Sequence, residues 1–189
     1  MDTKQQLHLT DEQIAEMCES TVPIKLGNVE RSVLQSITDE FRGAEAFNWL
    51  KSNDYNIPKV IEPMYTGVDY VGIVSGQVTP RTRMTTLLWH LDCWMENGEI
   101  LPSATVICST HFGLEYVSNV DDNLIEYMNR KRRRPDQFTH SRLRIPSRYR
   151  VERTQPGKLY FMGPKVVHRT MRAPFSCERT MIKQGICLK

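Results

Sequence analysis

The stretch "LLWHLDCW", residues 87–94, is an apolar run of strand length that carries two polar residues, His90 and Asp92. Side chains alternate faces along a strand, so His90 and Asp92 project from one side while Leu91 and Cys93 project from the other. A histidine and a carboxylate placed this way can reach one cation, or they can form a buried hydrogen-bonded pair. Two protein ligands hold a catalytic metal poorly, so a cation site requires a third ligand elsewhere in the chain. His8 lies near the terminus and His140 in a basic loop, which leaves His111 in "CSTHFG" and His168 in "KVVHRTM". His168 sits in a late strand pattern, just after "PGKLYFMGP", which reads as a turn, a strand and a second turn. Without His168 the bland reading of the pair is preferred. With it, two imidazoles and one carboxylate make the ligand set of a facial triad, which leaves coordination positions open and suits Fe(II) while tolerating Mn, Co or Ni.

The texture around this motif is that of a β protein. "GVDYVGIVSG", "MTTLLWHLDCW", "SATVICST", "GLEYVS", "RYRVER", "GKLYFM", "KVVHRTM" and "RTMIKQGICL" are short, rich in β-branched and aromatic residues, and punctuated by Gly, Pro, Asn and Ser. Many evenly spaced short strands predict a sandwich or barrel. One helical interruption is expected in "DDNLIEYMNRKRRR", where Leu124, Ile125 and Met128 recur at helical spacing and the acidic start and basic end suit the helix dipole. Pro135 bars its continuation. The first third reads as helical: Thr10 and Gln13 have capping-box spacing, Val29, Val33, Ile37 and Phe41 form one stripe, and "AEAFNWLKS" makes a third short helix. The expected fold class is therefore α+β with a β core. One domain is expected over residues 1–189, with N-terminal helices over 1–60 packing on a β core over 61–189 that carries a basic insertion at about 121–150.

Composition narrows the classes. Apolar residues make up 40% and charged residues 25%, which argues against wholesale disorder. No run approaches the ~20 apolar residues of a membrane span, and "MDTKQQLHLTDEQ" lacks the features of a secretory signal. The five cysteines are scattered with no C-x-x-C pair, as expected of reduced thiols in a cytoplasmic protein. Net charge is only +3, yet ten basic residues face Asp136 and Glu152 between Arg130 and Arg153. That segment predicts an anionic partner or substrate, against the alternative of a merely solvated basic loop.

Taken together, His90, Asp92, His168 and Arg179 make the chain resemble the Fe(II)- and 2-oxoglutarate-dependent oxygenases, whose pattern is H-x-D…H…R. Arg179 follows His168 by eleven residues, as in that family. "FGLEYVS" (112–118) is similar to the family's glycine-led strand, and "QPGKLYFMGPKVVHRT" (155–170) to its entry to the third ligand. The resemblance covers roughly residues 67 to 188 and leaves the N-terminal helices without a counterpart. It implies a double-stranded β-helix core of the jelly-roll or cupin-like kind, preceded by helices. It also implies that His90, Asp92 and His168 hold Fe(II) and are the catalytic set. Arg179 would grip the far carboxylate of 2-oxoglutarate, for which a planar guanidinium is suited. The family often has a small hydroxylic residue two positions after this arginine. Met181 stands there instead, so the second cosubstrate contact is left to Tyr160, Thr170, Arg83 or Thr180, of which Thr180 faces away from Arg179 in a regular strand.

The implied activity is hydroxylation of a C–H bond of a substrate, a small molecule or a nucleic acid, the basic segment favouring an anionic one. Two other classes fit the same residues. One is a catalytically inactive jelly-roll module that engages nucleic acid or an acidic protein through 130–153; the other is a cupin-like metalloenzyme that does not use 2-oxoglutarate. Trp89 and Trp94, bracketing the motif, read as core or pocket wall. Arg169 reads as surface, by parity, and Arg172 as a weaker rival to Arg179. Cys93, Cys108 and Cys177 read as small buried hydrophobes.

Overall fold

The computed structural model describes residues 11–28, 41–42, 70–81, 88–96, 99–130 and 144–187. In chain order its elements are helix α1 (Asp11–Glu19) and strands β1 (Ile24–Asn28), β2 (Phe41–Arg42), β3 (Tyr70–Val78), β4 (Cys93–Glu96), β5 (Glu99–Ser109) and β6 (Leu114–Val117). Helix α2 (Asp122–Arg130) and strands β7 (Val151–Arg153), β8 (Lys158–Met162), β9 (His168–Thr170) and β10 (Cys177–Cys187) follow. The described chain is thus mostly antiparallel β-sheet with few helices.

A seven-stranded sheet runs β1-β8-β5-β10-β3-β2, with β4 paired to the first part of β5. A three-stranded sheet runs β7-β6-β9. His90 extends the small sheet as a fourth, single-residue strand: its amide donates to the His168 carbonyl (2.9 Å) and its carbonyl accepts from the His168 amide (3.0 Å). This reciprocal exchange marks a hydrogen-bonded antiparallel pair, so the two histidines are direct cross-strand neighbours on one face.

Between the sheets, Ile107 of β5 and Met162 of β8 pack against Leu114 of β6 and Val166, with Tyr116, Tyr160 and Met181 at the margin. Period-two alternation then sends the intervening residues of the small sheet outward. Trp89, Leu91, Val117 and Val167 form a second cluster with Leu124 and Met128 of α2 and Tyr149. The amphipathic spacing read in "DDNLIEYM" is what buries those two helix residues. Asp121 starts the helix: its Oδ1 accepts from the Leu124 amide (2.8 Å) and from the Tyr149 hydroxyl (2.7 Å), bonds that hold its carboxyl below the usual range.

The N-terminal third differs from its helical reading. Residues 11–19 are helical, but Ile24–Asn28 is a strand antiparallel to β8, with its register shifting between Lys25 and Gly27. Phe41, placed on a helical stripe by its spacing, instead pairs with Ile73 in β2. Tertiary pairing to an available sheet edge overrides a short local periodicity. The remainder of that stripe, Val29, Val33 and Ile37, and the third helix expected over "AEAFNWLKS", lie outside the described residues, as does the tail of the basic segment from 131 to 143.

Candidate metal and anion site

The structure brings His90, Asp92 and His168 together although 76 residues of chain separate Asp92 from His168. One ligand atom from each lies within 4.8 Å of the others. The imidazole centroids are 4.3 Å apart with rings tilted at 56°. His90 Nε2 stands 3.8 Å from Asp92 Oδ1, and His168 Nε2 stands 3.7 Å from Asp92 Oδ2. All three residues are buried.

Each ring is aimed by its own backbone. His90 Nδ1 donates to the Leu88 carbonyl (2.7 Å), and His168 Nδ1 donates to the Val166 carbonyl (2.9 Å). A carbonyl accepts only, so both rings carry a proton on Nδ1 and turn Nε2 to the carboxylate side. Orientation of the liganding nitrogen through a bond at the other one is a common device of metal sites. Thr105 of β5 donates from Oγ1 to Asp92 Oδ2, so the large sheet fixes the carboxylate while the small sheet fixes the histidines. Two imidazoles and one carboxylate, converging in a low-dielectric interior, are a donor set that could hold a divalent cation.

Arg179 faces the same interior by strand parity with Met181, and it is 5% exposed. Its Nε donates to Ser109 Oγ (2.9 Å) and its Nη2 to the Phe112 carbonyl (3.4 Å). Burial pushes its pKa down from the usual arginine value, though arginine stays charged at any ordinary pH. Among the described residues no carboxylate stands at ion-pair distance from it. A buried guanidinium whose partners among the described residues are two neutral acceptors can receive an anion.

The turn that serves it is tightly held. The Thr110 amide donates to the Thr180 carbonyl, the Thr180 amide donates to Thr110 Oγ1 (both 2.9 Å), and Ser109 Oγ donates to the His111 carbonyl (2.8 Å). Phe112 adopts φ 30°, unusual for a bulky residue. Gly113 has no room for a side chain, because a Cβ there would meet the Thr154 carbonyl oxygen at 2.0 Å.

Of the other sequence candidates, Thr170 is buried on the His168 face of β9, opposite Leu114 at the end of β6 nearest this turn. Tyr160 is half-buried, and its hydroxyl accepts from the Gln155 amide (3.0 Å) while keeping its own proton to donate. The adjoining Gly157 amide bonds to the Ser109 carbonyl (2.8 Å), so Tyr160 and Arg179 share one end of the sandwich. Thr180 has its backbone engaged by Thr110, as above. Arg83 lies outside the described residues. His111 stays in its turn with Nδ1 3.2 Å from Thr110 Oγ1, apart from the triad. Arg172 is exposed, whereas Arg169 is half-buried and bonded to Glu115 (Nε to Oε2, 2.7 Å) with its guanidinium over the Trp89 ring.

Sequence reading passed over Thr105, Ser109 and Tyr116. Tyr116 lies directly opposite His168 on the inner face. Burial, followed by the bond it donates to Glu152 Oε2 (2.9 Å), pushes its phenol up to about 12 and keeps it protonated. Strand parity could place Tyr116 and Ser109 on an inner face, but nothing local marked Thr105 as the partner of Asp92.

No protein-family model matches the chain, and no curated protein matches it in sequence. Among solved structures it is similar to HygX from Streptomyces hygroscopicus. Apo HygX aligns with a TM-score of 0.50 at 11% identity, over 97% of this chain and 88% of that one. HygX with iron bound gives 0.49 at 12% identity over 96% and 87%, and HygX with nickel and 2-oxoglutarate bound gives 0.48 at 12% over 97% and 88%. At this identity the likeness to the apo protein concerns the fold alone, which in this chain is mostly antiparallel sheet with few helices.

Proposed function

We propose that this protein is a non-haem Fe(II)- and 2-oxoglutarate-dependent oxygenase that hydroxylates a C–H bond of its substrate. The observation that carries the reading is the meeting of His90, Asp92 and His168 in one buried cluster, with a buried Arg179, to which no described carboxylate is paired, on a strand facing the same interior. The sheet orders support a double-stranded β-helix: β3-β10-β5-β8 faces a row made of His90, β9, β6 and β7, so that core strands alternate between the two sheets except for β6 and β7, which pair with each other. HygX, which shares the fold, has been seen with iron and with nickel and 2-oxoglutarate, but the reading rests on this chain's own geometry.

In this assignment His90 Nε2, His168 Nε2 and one Asp92 oxygen hold the cation, which when bound supplies the oxygen-activating redox chemistry. Arg179 receives the 5-carboxylate of 2-oxoglutarate, with Tyr160 and Thr170 as hydroxyl donors beside it. Burial excludes water and strengthens each of these contacts. The Nδ1 bonds hold both Nε2 atoms toward the cation, and Thr105 keeps the Asp92 carboxylate turned inward. The protein acts in the cytoplasm on a small-molecule or nucleic-acid substrate; in the described structure, no helix is long and apolar enough to cross a membrane.

Anaerobic addition of Fe(II) and then 2-oxoglutarate is expected to give the weak visible charge-transfer band of a chelated keto acid. Aerobic turnover then yields succinate, and His90→Ala abolishes both. Metal binding without consumption of 2-oxoglutarate would instead indicate a cupin-like enzyme of other chemistry. A failure to bind metal at all would leave a binding module.

A further inference from the structure

The outward residues of β6, β7 and β9 beyond the helix form a second polar constellation. Glu115, Arg153 and Arg169 are neighbours across the three strands: Arg153 pairs with Glu115 and Glu115 with Arg169. Helix α2 covers the row containing Val117 and Val167, but not this one. With Thr170, Met171 and Arg172 they line a cavity of about 390 Å³. Its guanidiniums lie apart from the metal cluster, because Arg169 and His168 are consecutive in a strand and point to opposite faces; Thr170, on the His168 face, marks the boundary between the two.

Three guanidiniums here face one carboxylate. Glu115 is already committed on both oxygens: Oε2 accepts from Arg169 Nη2 at 2.6 Å and Oε1 from Arg153 Nη2 at 3.3 Å. Arg153 keeps a side chain that is 62% exposed, and Arg172 has no carboxylate within ion-pair distance among the described residues. The cavity therefore carries an excess of positive charge that no described residue neutralises. Arg169 is also preorganised. Its guanidinium lies 4.5 Å from the Trp89 ring centroid and is clamped by Glu115, so it loses little freedom on meeting a ligand. Planar forks in fixed positions match the oxygen pairs of a phosphate group. The cavity also lies where the basic run of residues 130–153 reaches the sheet, since Arg153 is its last member and Arg144, Arg148 and Arg150 before it are exposed.

We propose that this outer-face cavity is a phosphate-binding site, with Arg153, Arg169 and Arg172 gripping the phosphate oxygens of a phosphorylated ligand. The phosphate belongs either to a nucleic-acid backbone or to a small phosphorylated molecule. Nothing in the assignment depends on the oxygenase reading, and binding here requires no metal.

The test uses the full chain after EDTA treatment. Inorganic pyrophosphate is titrated by calorimetry, and a fluorescein-labelled twelve-nucleotide oligothymidylate by anisotropy, at low and moderate salt. Wild-type protein is expected to bind pyrophosphate saturably. The double variant Arg153→Gln/Arg172→Gln, with an unchanged melting temperature, is expected to bind at least about tenfold more weakly, as loss of charged hydrogen bonds implies. Lys158→Gln, on β8 of the large sheet and outside the cavity lining, is expected to bind as wild type. Oligothymidylate that binds more tightly than pyrophosphate, with a salt dependence that flattens in the double variant, identifies a nucleic-acid backbone. Pyrophosphate binding without oligothymidylate binding identifies a small phosphorylated ligand. The site is refuted if neither probe saturates at low salt, if the double variant binds both like wild type, or if poly-glutamate competes as well as pyrophosphate.

Discussion

The inner and outer faces of the small sheet are built from the same short strands, yet they are opposite in kind. Inward, His90 and His168 meet as cross-strand neighbours beside Tyr116, and Asp92 joins them from the residue pair beyond. Outward, Trp89, Leu91, Val117 and Val167 lie under helix α2 in a dry apolar cluster. Alternation along a strand thus lets each chemical residue be flanked by residues that only pack. The outer face holds the strands at the spacing that brings two imidazoles within reach of one carboxylate. A cost to one face should therefore be separable from a cost to the other.

The most severe break comes from the inner face. His168→Ala removes one of three candidate ligands while leaving its outward neighbours in place. Fe(II) affinity and succinate formation are expected to fall by well over the roughly 10–100-fold that loss of a merely orienting group costs. The melting temperature should stay within a few degrees of wild type. The reverse experiment is Leu124→Ala, which empties a fully buried position of α2 against the outer face. Chemical denaturation should show a loss of about 2–5 kcal/mol, typical of a leucine deleted from a core. Well below its transition, the variant should still bind Fe(II) like wild type. If Leu124→Ala lost metal and kept its stability, the division of labour between faces would be refuted.

Much of this division was legible in the residues and part of it was not. His90 and Asp92 stood out because polar groups inside an apolar strand must be satisfied, and period two placed them on one face. Helix α2 announced itself through Leu124, Ile125 and Met128. Thr105 was invisible as a carboxylate partner, since a threonine among β-branched residues reads as an ordinary strand former. Arg169 was legible as outward-facing, but its partner Glu115 lies 54 residues earlier, and nothing local joins them. Strand β1 was missed for a related reason: "IKLGN" is weakly patterned, and only the free edge of β8 makes it a strand. Long-range pairing is what local pattern does not encode.

Arg179→Gln sharpens the contrast by separating binding from folding. The guanidinium is buried with no carboxylate at ion-pair distance among the described residues, and its depressed pKa reflects that burial. Replacing a buried charge by a neutral amide of similar reach removes a desolvation cost, so the protein without cosubstrate is expected to be at least as stable. Binding of 2-oxoglutarate should weaken by about 2–5 kcal/mol, the usual penalty for deleting one partner of a buried ion pair. This corresponds to a rise of at least ~30-fold in the concentration needed for half-maximal succinate formation. Equal loss in both measurements would make Arg179 a structural residue.

The smallest expected effect tests the link between the sheets. Thr105 donates to Asp92 Oδ2 from the large sheet, whereas the backbone bonds at Leu88 and Val166 orient the histidines independently of it. Thr105→Val keeps the shape of the side chain and removes only the donor. The carboxylate then keeps its position but loses one restraint on its rotation, so Fe(II) affinity is expected to fall about tenfold, at the mild end for an orienting group. Because the imidazoles are unaffected, the loss should appear as faster metal dissociation, with the visible band of the iron–keto acid complex unchanged in position. An affinity equal to wild type would mean that the strand backbone alone holds Asp92 inward, and that the large sheet contributes packing but no orientation to the metal cluster.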